Sequence, residues 1–237
     1  MKTAAILLRN AMKRLANTLL PQVCVLCHGS SRNALLCEPC LRSMPRMFAQ
    51  CQRCAVPVRY DAVCGACIRH PPHFDATFAT SRYEFPLDRL MHAYKYGSLL
   101  PIAVLFADLL STVIGDEPKV DLIIPLPLAS RRLRERGFNQ SQEIARRLGA
   151  RMGIAVDPSA AMRIRETEAQ AVLPIGERIR NVRNAFRATS NVMGRRVAVV
   201  DDVMTTGATL DEFARTLKSH GALHVENWVV ARALLDP

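Results

Sequence analysis

Short β-branched runs and stretches of helical period alternate along the last two thirds of the chain. Residues 197–200, Val-Ala-Val-Val, are an unbroken apolar run, as expected of a strand covered on both faces. Asp201 and Asp202 stand at its C-terminal tip, followed by Thr205-Thr206-Gly207-Ala208-Thr209. Leu210, Phe213, Ala214 and Leu217 then recur at helical spacing. Thr209 and Glu212 have the spacing of a capping box, and Gly221 sits where a C′ residue belongs. Residues 222–230 form the next apolar strand, so the stretch predicts a βαβ unit. Upstream, residues 120–124 predict a second buried strand, ended by Pro125-Leu126-Pro127. Asn139, with Gln142 at N3, caps a helix whose apolar face is Ile144, Ala145 and Leu148. Residues 74–85 read as a strand or hairpin. Leu87, Leu90, Met91 and Tyr94 make a helix face ending at Lys95-Tyr96-Gly97, and residues 102–114 make another with Gly115 after it.

The first third has a different pattern. No run approaches the ~18 apolar residues of a membrane-spanning helix. In residues 1–21 the apolar patch 4–8 is too short for a signal peptide. Ile6, Leu7, Ala11, Leu15 and Leu19 with Arg9, Lys13 and Arg14 predict a basic amphipathic helix, packed on the protein's own body in preference to a membrane surface. A cytoplasmic location follows as the expectation. Residues 22–70 hold every cysteine of the chain: Cys24-x2-Cys27, Cys37-x2-Cys40, Cys51-x2-Cys54 and Cys64-x2-Cys67, the second four repeating the spacing of the first. Two such pairs complete a tetrahedral four-sulfur site for Zn²⁺. Disulfides are disfavoured in a reducing cytosol, and an iron–sulfur cluster is the other alternative. Adjacent quartets and an interleaved cross-brace are both open, and one or two structural zinc ions are expected. The segment is poor in large apolar residues, so metal has to supply what a core cannot. His70-Pro71-Pro72-His73 reads as a linker to a domain spanning 74–237.

The bend after Asp202 has chemical consequences. Unpartnered N–H groups and the positive dipole end at a helix start suit an anion, and Gly207 permits close backbone approach. Two carboxylates cannot hold a phosphate, but they suit hydroxyls, a divalent cation or developing positive charge. An anion on one side and hydroxyls on the other describe a ribose 5-phosphate. Composition agrees: the 237-residue chain carries a formal net charge of +11, so an anionic partner is expected. Between Arg131 and Arg196 every Lys/Arg position is arginine, which favours bidentate phosphate contacts.

The stretch VVDDVMTTGATL resembles the signature with which type I phosphoribosyltransferases bind 5-phosphoribosyl 1-pyrophosphate (PRPP). K-Y-G, I-P-L-P, R-R-L-R-E-R-G-F-N-Q-S and the series Arg163, Gln170, Arg178, Asn181, Phe186 narrow the resemblance to the ComF family, with I-P-L-P standing where V-P-V-P is usual. These are phosphoribosyltransferase-like proteins with an N-terminal cysteine module, of which the best-known members serve DNA uptake in natural transformation. The resemblance implies an α/β fold, a Rossmann-like parallel sheet flanked by helices, with a small N-terminal zinc ribbon. It implies that Asp201 and Asp202 take the ribose hydroxyls, and that Thr205, Thr206, Gly207, Ala208 and Thr209 take the 5-phosphate. Pro125, Leu126 and Pro127, with Arg131, Arg136 and Lys95, are implied for the rest of PRPP, and residues 163–181 for a mobile hood. Catalysis is implied for Asp201, Asp202, Arg163 and Arg178, with Mg²⁺ arriving on PRPP and a nucleobase or amine as acceptor.

A different class of function stays open: a PRPP or nucleotide sensor, or a single-stranded-DNA-binding accessory working with competence proteins. Aromatic residues are 5% of the chain, which leaves no visible stacking platform for bases. A glutamine amidotransferase is disfavoured, because a glutaminase domain has no room. The sequence leaves oligomeric state open.

Overall fold

The computed structural model describes residues 23–31, 34–60, 62–97, 99–166 and 180–234. The expected N-terminal helix 1–21 therefore lies outside the described residues. The chain parts into two compact units, Met1–Met44 and Pro45–Pro237, so the second cysteine quartet and residues 70–73 belong to the same unit as the sheet.

The two quartets fold alike, as their repeated spacing predicts. In each, a tight turn follows the first cysteine: the His28 N–H donates to the Cys24 carbonyl at 2.9 Å, and the Ala55 N–H to the Cys51 carbonyl at 2.9 Å. The residue after the second cysteine takes a left-handed conformation, His28 at φ 58° and Ala55 at φ 55°. The third cysteine then stands as N-cap of a five-residue helix, Cys37 for α1 (Glu38–Arg42) and Cys64 for α2 (Gly65–Arg69). The fourth lies inside that helix.

In the larger unit, β1 (Ala76–Arg82) leads through α3 (Leu87–Tyr96) and α4 (Ile102–Ile114) to β2 (Leu122–Pro125). Next come α5 (Ser130–Arg136) and α6 (Gln140–Met152), then β3 (Ala161–Arg163) and β4 (Phe186–Ala188). The chain closes with β5 (Arg196–Met204), α7 (Ala208–Ser219) and β6 (His224–Arg232). β1, β6, β5 and β2 lie side by side in that order, every pair parallel. β3 and β4 form a separate antiparallel pair.

Parallel strands are buried on both faces, which is why they read as apolar runs. Val197, Ala198, Val199 and Val200 are fully buried. Val197 and Val199 share one apolar cluster with Leu210, Phe213, Ala214 and Leu217 of α7 and with Phe186 and Ala188 of β4. On the other side α4 and α6 pack on each other and on the sheet. α6 begins where Asn139 accepts a hydrogen bond from the Ser141 N–H, and it ends at Gly153 in the left-handed region. Among the described residues no helix is long and apolar enough to cross a membrane.

Several elements differ from expectation. β5 does not end at Val200 but runs on through both carboxylates to Met204, because β6 continues the ladder as far as Met204 opposite Arg232. Of the two readings of residues 74–85, strand or hairpin, the strand is realised. β6 starts at His224, two residues late, because the Ala222 N–H is still bound to Leu217 of α7. The Thr209–Glu212 capping box does not form: the helix is capped by Gly207, and Glu212 instead accepts from the Asn184 N–H at 2.8 Å and from Arg215. The helix α5 went unpredicted, since its face is almost wholly charged.

One packing contact has a sharp consequence. A Cβ on Gly149 of α6 would lie 2.8 Å from the Ile154 carbonyl oxygen and closer still to Val156. That segment cannot retreat, because Ala155 and Asp157 hydrogen-bond to Ile123 of β2. Gly149→Ala gains about 1 kcal/mol of helix propensity against overpacking of about 1–3 kcal/mol. Urea denaturation should therefore find the variant less stable by roughly 1 kcal/mol; equal or higher stability contradicts this packing.

Candidate functional site

The site grows from unequal strand lengths. β2 stops at Pro125, which stands opposite Val200. The Leu126 N–H still donates to the Val200 carbonyl at 2.9 Å, and Asn139 Nδ2 donates to the Leu126 carbonyl at 3.1 Å. The Pro125-Leu126-Pro127 turn is thus pinned between β5 and the start of α6. Beyond it, Asp201 and Asp202 keep β6 as a partner on one edge while the other edge opens into a cleft of about 620 Å³.

Two adjacent carboxylates in a mostly buried strand need compensation. Asp201 Oδ1 accepts from Ser141 Oγ at 3.0 Å and from the Asp202 N–H at 2.9 Å. Asp202 Oδ2 lies 3.1 Å from Lys95 Nζ, at the C-terminal turn of α3. Burial first, and then the neighbouring Asp202 charge, push the Asp201 carboxyl up to about 7. Of the pair, Asp202 carries the direct countercharge, whereas Asp201 is held by hydrogen-bond donors alone.

The bend follows at once. Gly207 adopts φ +86°, a left-handed conformation in which a side chain is strained, and an added Cβ would meet Met204 Cε at 2.6 Å. Gly207 gives α7 no side-chain cap, so apart from the Ala208 N–H, which donates to Thr206 Oγ1 at 3.4 Å, the N–H groups of its first turn face the space before it. Thr205, Gly207 and Thr209 line the cleft beside both carboxylates. Thr206 and Ala208 instead line a second cavity of about 790 Å³, behind the bend and against the second cysteine quartet.

The other expected residues divide similarly. Lys95, Leu126, Pro127, Arg136 and Arg163 line the cleft with Asp201 and Asp202. Arg136 donates to Gln140 Oε1 at 3.0 Å and stacks over the Tyr96 ring at 5.2 Å. Arg163 is not on a loop but in β3, its guanidinium 5.3 Å from the centre of the Phe186 ring. Burial, with the charge of Arg132 added, lowers its pKa. Arg131 does not join the group: it is exposed and bound to Glu135 at 2.8 Å, one turn along α5. Pro125 is buried in β2. Arg178 and most of the expected hood lie outside the described residues. Its flanks are described: Arg165 donates to the Asn181 and Arg183 carbonyls at 2.8 and 2.6 Å. Ser141, Tyr96 and His92 also line the cleft; Ser141 ends the R-R-L-R-E-R-G-F-N-Q-S motif and Tyr96 is the centre of K-Y-G, whereas His92 has no signal in the sequence.

Cys24, Cys27, Cys37 and Cys40 converge, as do Cys51, Cys54, Cys64 and Cys67, with all four sulfurs of each set within 4.8 Å of one another. Of the two pairing schemes, the adjacent one is realised. A tetrahedral Zn²⁺ with Zn–S bonds of about 2.3 Å needs sulfurs about 3.8 Å apart; Cys27 and Cys37 are at 3.6 Å, Cys54 and Cys64 at 3.7 Å. The Cys64 N–H also points at Cys51 Sγ, at 3.2 Å. These are two structural zinc sites, each filled by four thiolates with no position left for a substrate.

Residues 103–234 match the phosphoribosyl transferase domain family, and residues 15–68 match the double zinc ribbon domain family. The chain has the type I phosphoribosyltransferase fold, a parallel sheet flanked by helices, behind an N-terminal zinc ribbon. It belongs to the ComF family of phosphoribosyltransferase-domain proteins. It is 35% identical over 206 residues to the DNA utilization protein YhgH of Salmonella typhi, covering 84% of this chain and 91% of that one. It is 31% identical over 222 residues to Competence protein F of Haemophilus influenzae, covering 89% and 96%. Competence protein ComFC of Bacillus subtilis is 27% identical over 209 residues, 84% of each chain.

The Asp201 carboxyl carries a stability signature. Its pKa is raised from about 3.8 to about 7, so the folded state holds a proton that the unfolded state releases. Its contribution is present below pH 4 and is lost as pH rises through 7. Asp201→Asn lacks that loss. Chemical denaturation at pH 4.5 and pH 8 should find the variant gaining on wild type by roughly 1–3 kcal/mol across the interval. A difference independent of pH contradicts a proton held at Asp201.

Proposed function

We propose that this protein binds PRPP with Mg²⁺ in the cleft at the end of β5 and transfers its ribose 5-phosphate group to a nitrogen acceptor. The observation that carries the reading is that both carboxylates and the uncapped start of α7 open onto one cleft, among Lys95, Arg132, Arg136 and Arg163. The 5-phosphate fits the bend 205–209, where backbone N–H groups and threonine hydroxyls supply donors. Asp201 and Asp202 accept the ribose hydroxyls. Arg132 and Arg136, with the backbone at Leu126 and Pro127, face the pyrophosphate; Arg131 assists only by turning away from Glu135.

The oxygen donors here suit a hard cation such as Mg²⁺. Mg²⁺ would arrive on PRPP, with Asp201 and Asp202, the latter already balanced by Lys95, assisting to hold it, and it would offset leaving-group charge. As the bond to pyrophosphate breaks, positive charge develops on the anomeric carbon. The fixed carboxylates stabilise it, and the arginines stabilise the departing anion, with charge placed in advance of the reaction. In this reading residues 163–181, with Arg163 and Arg178, form the hood that keeps water from competing with the acceptor. The acceptor is a nucleobase or an amine.

A second reading is favoured by the names of the relatives, a DNA utilization protein and competence proteins. In it, PRPP or a nucleotide is bound as a signal by an accessory protein that handles single-stranded DNA. Calorimetric titration with Mg²⁺ and PRPP tests what both share: wild type should bind, and the Asp201→Asn/Asp202→Asn protein should bind at least about tenfold more weakly, about 1.4 kcal/mol. Absent binding to wild type, or equal binding to the variant, contradicts the site. Pyrophosphate release that depends on an added nucleobase or amine separates the enzyme from the accessory.

A further inference from the structure

Arg232, the last residue of β6, has no part in the account above, yet it is 6% exposed. A buried guanidinium needs every N–H satisfied and a countercharge nearby. Arg232 Nε donates to the Cys54 carbonyl at 2.9 Å, inside the second zinc ribbon. Its Nη1 donates to the Met204 carbonyl at 3.1 Å, to the Thr205 carbonyl, and to the Ala233 carbonyl at 2.6 Å. One planar side chain thus joins the ribbon to the first residue of the phosphate bend. Its charge neighbours are Cys54, Cys64, Cys67 and Cys51. Four thiolates around Zn²⁺ carry a net charge of −2, so the loaded ribbon supplies the anion that justifies burying Arg232.

Nearby packing points the same way. Cys54 packs against the cluster that holds Met204 and Leu210, the residues on either side of the bend. The ribbon is also fastened to the neighbouring strand: the Thr77 N–H donates to the Gln52 carbonyl at 3.1 Å, and Gln50 Nε2 donates to the Ala79 carbonyl at 3.3 Å. The cavity between the ribbon and the bend is lined by Cys54, Met204, Thr206 and Arg232.

We propose that Arg232 is a positioning residue through which the second zinc ribbon, Cys51/Cys54/Cys64/Cys67, sets the conformation of the 205–209 bend. Loss of that zinc frees the loop that carries Cys54, whose carbonyl then no longer holds the guanidinium in place. The Met204 and Thr205 carbonyls then lose their donor, and the bend loosens. Because linkage is reciprocal, a ligand that holds the bend must also retain the metal. This second consequence rests on the PRPP reading; the first does not.

The test uses the full zinc-loaded chain. Hydrogen–deuterium exchange is followed in a peptide covering 204–210, with 197–200 as the internal control, before and after chelation of zinc, in wild type and in Arg232→Lys. Lysine keeps the charge but cannot reach several carbonyls as a fork. Chelation should speed exchange of the wild-type bend about tenfold, and zinc-loaded Arg232→Lys should show that speed already, with 197–200 protected throughout. Mg²⁺ with PRPP should slow release of one zinc to a chromogenic chelator in wild type, and not in Arg232→Lys. An unchanged bend after chelation, or wild-type protection in Arg232→Lys, overturns the proposal. If wild type binds no PRPP, the phosphate reading fails, and the exchange result alone decides the coupling.

Discussion

The structure is arranged around two carboxylates that must sit side by side at the end of a buried strand. Neither charge is tolerable there unaided. Ser141 and a backbone N–H serve Asp201, while Lys95 neutralises Asp202. The two side-chain helpers come from different helices, so α3, α6 and β5 have to be held in one relation. The four-strand parallel sheet does this. Its central strands are buried on both faces, and the early stop of β2 at Pro125 opens the cleft that the carboxylates face. Stability and site geometry thus draw on the same contacts: those that bury residues 197–200 also aim Asp201 and Asp202.

The bend after β5 is the second half of the same arrangement. Gly207 takes a positive φ that would strain any side chain, and the helix start lacks a side-chain cap, a combination that suits an anion. Behind the bend stand two devices of opposite kind. One is the apolar cluster of Met204, Leu210 and Phe213; the other is Arg232, held between carbonyls of the ribbon and of the bend. The second zinc ribbon is therefore part of the sheet-bearing unit in substance as well as in connectivity.

Much of this could be read from residue order alone. The βαβ unit around 197–230 was plain because parallel strands leave long β-branched runs and helices leave a 3.6-residue period. The cysteine spacing revealed two quartets, but their pairing became clear only in three dimensions. The illegible parts share a cause: they depend on partners distant in sequence. The extension of β5 past its carboxylates comes from β6, not from local propensity. Glu212 abandons its expected cap because Asn184 offers a better-placed donor. Lys95 lines the cleft, but its ion pair with Asp202 had no mark in the sequence. Arg232 left only a faint mark, a charge closing an otherwise buried strand.

The central claim is that the end of β5 and the bend after it receive a phosphorylated ribose. A crystal structure of the protein grown with PRPP and Mg²⁺ addresses it most directly. The account predicts the 5-phosphate against the backbone of 205–209 and the ribose hydroxyls toward Asp201 and Asp202. Ligand density in the cavity beside the second zinc ribbon, with the cleft at β5 vacant, would contradict it.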